Sequence, residues 1–178
     1  MPKTIIGITG LARSGKDTVA DYIAEKYSFK VFTMSDTLRS ECMKRNLEIT
    51  KDNLSLIGDA MRKEFGNDIV AVKTIEKAGH FPRSIITGVR SPEEIDVFKD
   101  HCPGFILLTV EAPDSSRFGR RTEKDLDTES GFFSRDERDM KNKGMGDVIE
   151  MADQAIKNDS TLEELYRKVD RFIDSISL

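Results

Sequence analysis

The 178-residue chain has no tryptophan, two histidines, two cysteines and five prolines. Cys42 and Cys102 stand far apart and form no C-x-x-C pair, which excludes a disulfide framework and a zinc knuckle. His80 and His101 sit beside turn-like stretches without ligand-like spacing, so they read as surface residues. A basic excess is also missing: 28 Lys and Arg face 32 Asp and Glu, for a formal charge of −4. That balance disfavours a nucleic-acid partner. No apolar run exceeds strand length, far short of the ~20 residues of a membrane helix. The first residues pass from Met1 into Lys3-Thr4-Ile5-Ile6-Gly7 without a signal-like apolar region. The expectation is a soluble, cytoplasmic protein with no membrane partner.

What is present is the composition of one folded domain, 38% hydrophobic and 34% charged. Short β-like runs alternate with longer helical ones, the pattern of an α/β fold with a parallel sheet. Strands are predicted at Thr4–Ile8, Lys30–Thr33, Ser84–Thr87, Phe105–Val110 and Gln154–Lys157. Helices fit 16–27, 36–45, 53–65, 68–78, 92–100, 115–122, 134–142 and 161–176. The last is the clearest amphipath: Leu162, Leu165, Tyr166, Val169, Phe172, Ile173 and Ile176 recur at helical steps. Two segments break the alternation. About 50 residues between the second and third strands are all helical, an insert rather than a crossover. Residues 114–143 hold eight basic and eight acidic side chains, the composition of a solvated helical hairpin or of a mobile lid.

The most informative stretch is Gly10-Leu11-Ala12-Arg13-Ser14-Gly15-Lys16-Asp17-Thr18, which follows an apolar strand and opens an amphipathic helix. Its G-x-x-x-x-G-K spacing suits a phosphate cradle. Glycines let successive backbone N–H groups curl around a phosphate, and the helix behind adds its positive end. Lysine reaches the outer phosphates, so ATP with Mg²⁺ is the expected donor. The G-x-G-x-x-G of dinucleotide folds is absent. A hydroxyl commonly follows the lysine directly, and Asp17 intervenes here. It reads either as a first-turn acid favoured by the helix dipole or as an acceptor for Mg²⁺-bound waters.

A second set lies where the next strands end. Met34-Ser35-Asp36-Thr37-Leu38-Arg39 follows the second strand, with Asp36 either a helix cap or a ligand-facing acid. Arg39 stands one turn further on and can share a ligand with Asp36. Gly88-Val89-Arg90-Ser91 follows the third strand, and the Arg90 fork suits a phosphate.

These stretches resemble the nucleoside monophosphate kinases and dephospho-CoA kinases. Met34–Arg39 is similar to the adenylate kinase motif T-G-D-x-L-R, and Gly15-Lys16-Asp17-Thr18 to its G-K-x-T. Gly88-Val89-Arg90 resembles D-G-x-P-R, one residue shorter. Ala152–Leu165 resembles the A-D-x-x-I-x-N-x-G-T-L-E-E-L close of dephospho-CoA kinases, with Ser160 for glycine. The run G-V-R-S-P-E-E, then Arg135–Asp139, then Gly144–Ile149, resembles a poorly characterised archaeal nucleotide-kinase-like family. The loop itself also resembles that of phage deoxynucleoside monophosphate kinases. Two positions depart from the pattern. Thr87 stands where the relatives place an acid, leaving Asp17 or Asp36 to supply that charge, and the P-L-L motif of dephospho-CoA kinases is missing.

The resemblance implies a P-loop three-layer fold with a five-stranded parallel sheet in the order 2-3-1-4-5. It divides one domain into a core (1–35, 82–113, 144–178), an acceptor-binding insert (36–81) and a lid (114–143). It implies phosphoryl transfer from ATP–Mg²⁺ to a small nucleotide. The acceptor is a (deoxy)nucleoside monophosphate held by Asp36, Arg39 and Arg90, or dephospho-CoA, for which Asp36 would be the base. A slow nucleotide-hydrolysing switch and a nucleic-acid end kinase remain as rivals. Lid arginines should meet the transferred charge: Arg117, Arg121 and Arg138 are the catalytic candidates, with Arg120 and Arg135 beside them. Asn158, after the last strand, is placed to border an adenine pocket or to serve as a turn residue.

Overall fold

A computed structural model describes residues 3–122, 128–142 and 144–176, without the side chains of Lys51, Arg135, Arg138, Asp139 and Asn142. Strand β1 (Thr4–Thr9) leads into helix α1 (Lys16–Tyr27), then β2 (Lys30–Thr33). Three helices follow: α2 (Met34–Lys44), α3 (Lys51–Phe65) and α4 (Ile69–Ala78). The chain returns through β3 (Arg83–Thr87), α5 (Pro92–His101) and β4 (Phe105–Glu111). After α6 (Asp114–Gly119), α7 (Glu129–Asn142) and α8 (Met145–Glu150) come β5 (Gln154–Lys157) and α9 (Leu162–Ser175).

The strands pair in parallel in the order β2-β3-β1-β4-β5, as the sequence implied. Alternation along each strand sends side chains to two separate cores. Ile5, Ile86 and Leu107 face the insert helices, α5 and α8, where Met61, Val70, Ile95, Phe98 and Val148 close the layer. Ile6, Ile8, Ile85, Leu108 and Val110 face α1 and α9, packing on Val19, Ile23, Leu165, Val169 and Phe172. The α9 stripe is buried at Leu165, Val169, Phe172 and Ile173, while Leu162 at its first turn stays exposed. The Asp170 carboxylate docks α9 on α1 by accepting from Tyr22 Oη (2.9 Å), Tyr27 Oη (2.7 Å) and Lys26 Nζ (2.9 Å).

Several element limits differ from the sequence expectation for identifiable reasons. Helix α2 begins at Met34, directly after β2, because Thr33 is its cap: the Thr33 hydroxyl accepts from Asp36 N and the Asp36 carboxylate accepts from Thr33 N. Asp36 is therefore the reciprocal partner in a capping box rather than the cap itself. Helix α7 starts at Glu129, and α8 is a short element that the sequence reading passed over. Among the described residues no helix is long and apolar enough to cross a membrane.

Candidate functional site

Parallel strands bring the segments leaving β1, β2 and β3 to one edge of the sheet, where open α/β sheets hold ligands. The loop from Gly10 to Gly15 sits there. Gly10 has φ 146° and Gly15 φ 99°, backbone regions that glycine enters without strain. A Cβ on Gly10 would strike the Val110 carbonyl, and one on Gly15 would strike the Asn158 amide. Helix α1 starts at Lys16 with Gly15 as its N-cap and no side chain capping it. The positive end of a helix suits an anion best. Ala12, Arg13, Gly15, Lys16, Asp17, Thr18 and Arg120 line a cleft of about 440 Å³ at that point. The Ser14 hydroxyl is buried without a hydrogen-bond partner.

The segment after β4 grips this loop. Arg117 is almost wholly buried; its Nη1 donates to Asp136 Oδ2 (2.7 Å) and to the Ala12 carbonyl (3.2 Å), and its Nη2 to Asp114 Oδ1 (2.7 Å). The Phe132 and Phe133 rings each lie 5.8 Å from the guanidinium. Arg13 donates to Thr122 Oγ1 at 2.7 Å, and Arg120 approaches the Arg13 carbonyl at 3.5 Å. Arg121 instead lies exposed over the Phe118 ring, 4.1 Å from its centroid, and donates to the Phe118 carbonyl. Of the three neighbouring arginines, Arg120 is the one that reaches the cleft, Arg117 is enclosed by carboxylates and Arg121 turns to the surface. Arg138 lies on α7 with Arg135, but both side chains fall outside the described residues.

Asn158 is also buried, and its Nδ2 donates to the Ser14 carbonyl at 2.8 Å. It props the loop from the β5 side.

On the acceptor side, Arg39 Nη1 donates to Asp36 Oδ1 at 2.8 Å, while Asp36 Oδ2 accepts from Thr33 N at 3.0 Å. Partial burial pushes the Asp36 carboxyl up, but the bonds from Thr33 and Arg39 outweigh it and hold the group below the usual carboxylate range. Arg90 is exposed, and its backbone N–H donates to Glu94 Oε2 at 2.8 Å. Glu94 closes a second capping box with Ser91 at the start of α5. Burial pushes the Glu94 carboxyl up, against the bonds from Arg90 N and Ser91 N and the nearby charges of Arg62 and Arg90. The S-P-E-E stretch is a legible signature of that box. Thr87 is buried at the end of β3, so no acid stands there.

Known proteins similar to this chain give its family and its fold. A family model described as "AAA domain" matches residues 9–141. A UPF0200 protein of Methanoregula boonei is 32% identical over 178 residues, covering 97% of each chain. Another, of Thermococcus onnurineus, is 35% identical over 182 residues, again 97% of each. The chain belongs to the UPF0200 family. Among solved structures, shikimate kinase from Bacteroides thetaiotaomicron superposes with a TM-score of 0.66 at 12% identity, over 98% of this chain and 99% of that one. Shikimate kinase from Acinetobacter baumannii, in complex with shikimate, gives 0.59 at 16% identity, over 99% and 96%. The fold of this UPF0200 protein is that of the P-loop kinases.

Proposed function

We propose that this UPF0200 protein transfers the γ-phosphoryl group of ATP to a small nucleotide, a (deoxy)nucleoside monophosphate before others. The observation that carries the reading is the uncapped start of α1, opening on a cleft lined by Lys16 and Arg120 beside two glycines at positive φ. The residues fit a triphosphate: Gly15, Asp17 and Thr18 line the cleft at the start of α1, with Lys16 and Arg120 as its cations. Mg²⁺ fits as well. It binds through phosphate oxygens and waters with one or two protein oxygens, for which Asp17 and Thr18 line the cleft. When bound, the ion neutralises charge on the phosphates.

In this reading the loop amides and Lys16 hold the donor's phosphates. Arg120 joins Lys16 against the charge on the transferred group, with Arg138 as a further lid candidate in place of Arg121, which turns to the surface. Arg39 and Arg90 hold the acceptor. An acceptor oxygen attacks the γ-phosphorus as the bond to the β-phosphate oxygen breaks, releasing ADP. A phosphate acceptor needs no base, whereas a sugar hydroxyl does. Asp36, bonded to Thr33 and Arg39 and held below the carboxylate range, is a weak base. That favours a monophosphate over dephospho-CoA and makes Asp36 an orienting group. A hydrolytic switch has no use for Arg39 and Arg90. The domain then divides into core, acceptor-binding insert (36–81) and lid (114–143), acting on free nucleotides in the cytoplasm.

The test is a panel of nucleoside monophosphates, deoxynucleoside monophosphates, dephospho-CoA and oligonucleotides with ATP–Mg²⁺, followed by ADP formation. Turnover that needs a monophosphate supports the reading. Acceptor-independent ATP hydrolysis, or response only to dephospho-CoA or oligonucleotide, overturns it.

A further inference from the structure

Two side chains expected elsewhere in the site hold the loop from behind. Arg117 was a candidate to meet the transferred phosphoryl, and Asn158 to border adenine. Arg117 Nη1 instead donates to the Ala12 carbonyl at 3.2 Å and Asn158 Nδ2 to the Ser14 carbonyl at 2.8 Å. Between them, Arg120 reaches the Arg13 carbonyl at 3.5 Å, the limit of hydrogen-bond range. A trans peptide is planar, so its C=O and N–H point in opposite directions. A donor that fixes the Ala12 carbonyl thereby fixes the direction of the Arg13 N–H, and one that fixes the Ser14 carbonyl fixes the Gly15 N–H.

We propose that Asn158 and Arg117 are positioning residues that aim the Gly15 and Arg13 amide hydrogens into the phosphate cradle by gripping the carbonyls of the same peptides. The proposal rests on the reading that the loop holds a triphosphate. It accounts for three features together. Gly15 must lack a Cβ, which would collide with the Asn158 amide that holds the peptide. Arg13 takes a left-handed conformation, φ 62°, that a non-glycine residue keeps only when its surroundings enforce it. Arg117 is enclosed by Asp114 and Asp136, so its fork is fixed before any ligand arrives. Such fixing ahead of binding is what makes amide donors effective.

The test compares ATP with inorganic tripolyphosphate, which has the phosphates and no base. Asn158→Asp keeps the shape and replaces the donor by an acceptor facing the Ser14 carbonyl. Calorimetry should show affinity for both ligands falling by a common factor, about tenfold to a hundredfold. Arg117→Lys, which keeps one donor and the charge, should show a smaller common loss. In the unsubstituted protein, the Gly15 and Arg13 amide protons should move downfield in NMR spectra on adding tripolyphosphate, a readout that does not depend on any variant folding. A loss confined to ATP would return Asn158 to the base pocket and overturn the proposal. So would an unchanged affinity for both, or amide protons that do not respond. If the protein binds both ligands, loses both in Asn158→Asp and yet phosphorylates no acceptor, the kinase reading fails while the positioning role stands.

Discussion

Removing the Arg117 side chain isolates the energetics of the buried pair that ties α6 to α7. Arg117 and Asp136 expose only 3% and 8% of their side chains and meet at 2.7 Å. In Arg117→Met, Asp136 is left as a buried carboxylate with no cation among the described residues, where its Oδ1 already lacks a partner. Breaking a buried pair from one side costs about 3–5 kcal/mol. Asp114 adds little, because it is 76% exposed and water replaces its partner. For a domain of this size each kcal/mol moves the melting temperature by about 2–4 °C, so the expected fall is roughly 6–20 °C. If the damage stays local, it should appear as faster amide hydrogen exchange along α7 at an unchanged global midpoint. Adding Asp136→Leu to Arg117→Met should recover more than half of the loss, since the double variant leaves no unpaired charge. A single variant that costs less than about 1 kcal/mol with unaltered α7 exchange, or a double variant no better than the single, would refute the reasoning.

Other substitutions test separate parts of the structure. Lys16→Ala should cut ATP-dependent turnover by about two orders of magnitude or more while leaving the melting temperature within a few degrees, checked by ADP release and calorimetry. Glu94→Gln should flatten the pH dependence of stability in the mildly acidic range. Its carboxyl is raised by burial, so the folded state holds the proton longer; stability is full below the unfolded value and falls as pH rises through the folded one, a loss that glutamine removes. Urea midpoints between pH 4 and 7 measure this. Tyr27 is pushed up to about 12 by burial and by its bond to Asp170, so Asp170→Asn should bring its tyrosinate absorbance to lower pH. The same change should cost about 1 kcal/mol at neutral pH after screening by water.

The fold was legible because its signals are local and repeated. Each strand is a short apolar run whose alternation supplies both cores, and the α9 stripe follows helical spacing over its whole length. The errors fell at helix starts. Thr33 and Asp36 form a box in which either could be the cap on sequence alone, and only the chain direction after β2 decides that α2 begins at Met34. Helix α8 has six residues, too few for a periodic pattern to emerge.

The loop was legible for the same reason, since the two glycines at positive φ and the lysine that opens α1 fall within a span of seven residues. What the sequence could not disclose was the direction of long side chains at its rim. Arg117, Arg120 and Arg121 fall within five residues and share one chemistry, yet they end as a buried anchor, a cleft residue and a surface residue. The sorting is done by partners distant in sequence. Asp136, nineteen positions on, captures Arg117 between Phe132 and Phe133. The Phe118 ring next door draws Arg121 outward, which leaves Arg120 to approach the Arg13 carbonyl. Asn158 follows the same logic: 144 residues separate it from Ser14, and only the pairing of β4 with β5 brings the two together. The motif therefore marks the loop, while the long-range pairs determine which of the nearby cations faces the cleft beside it.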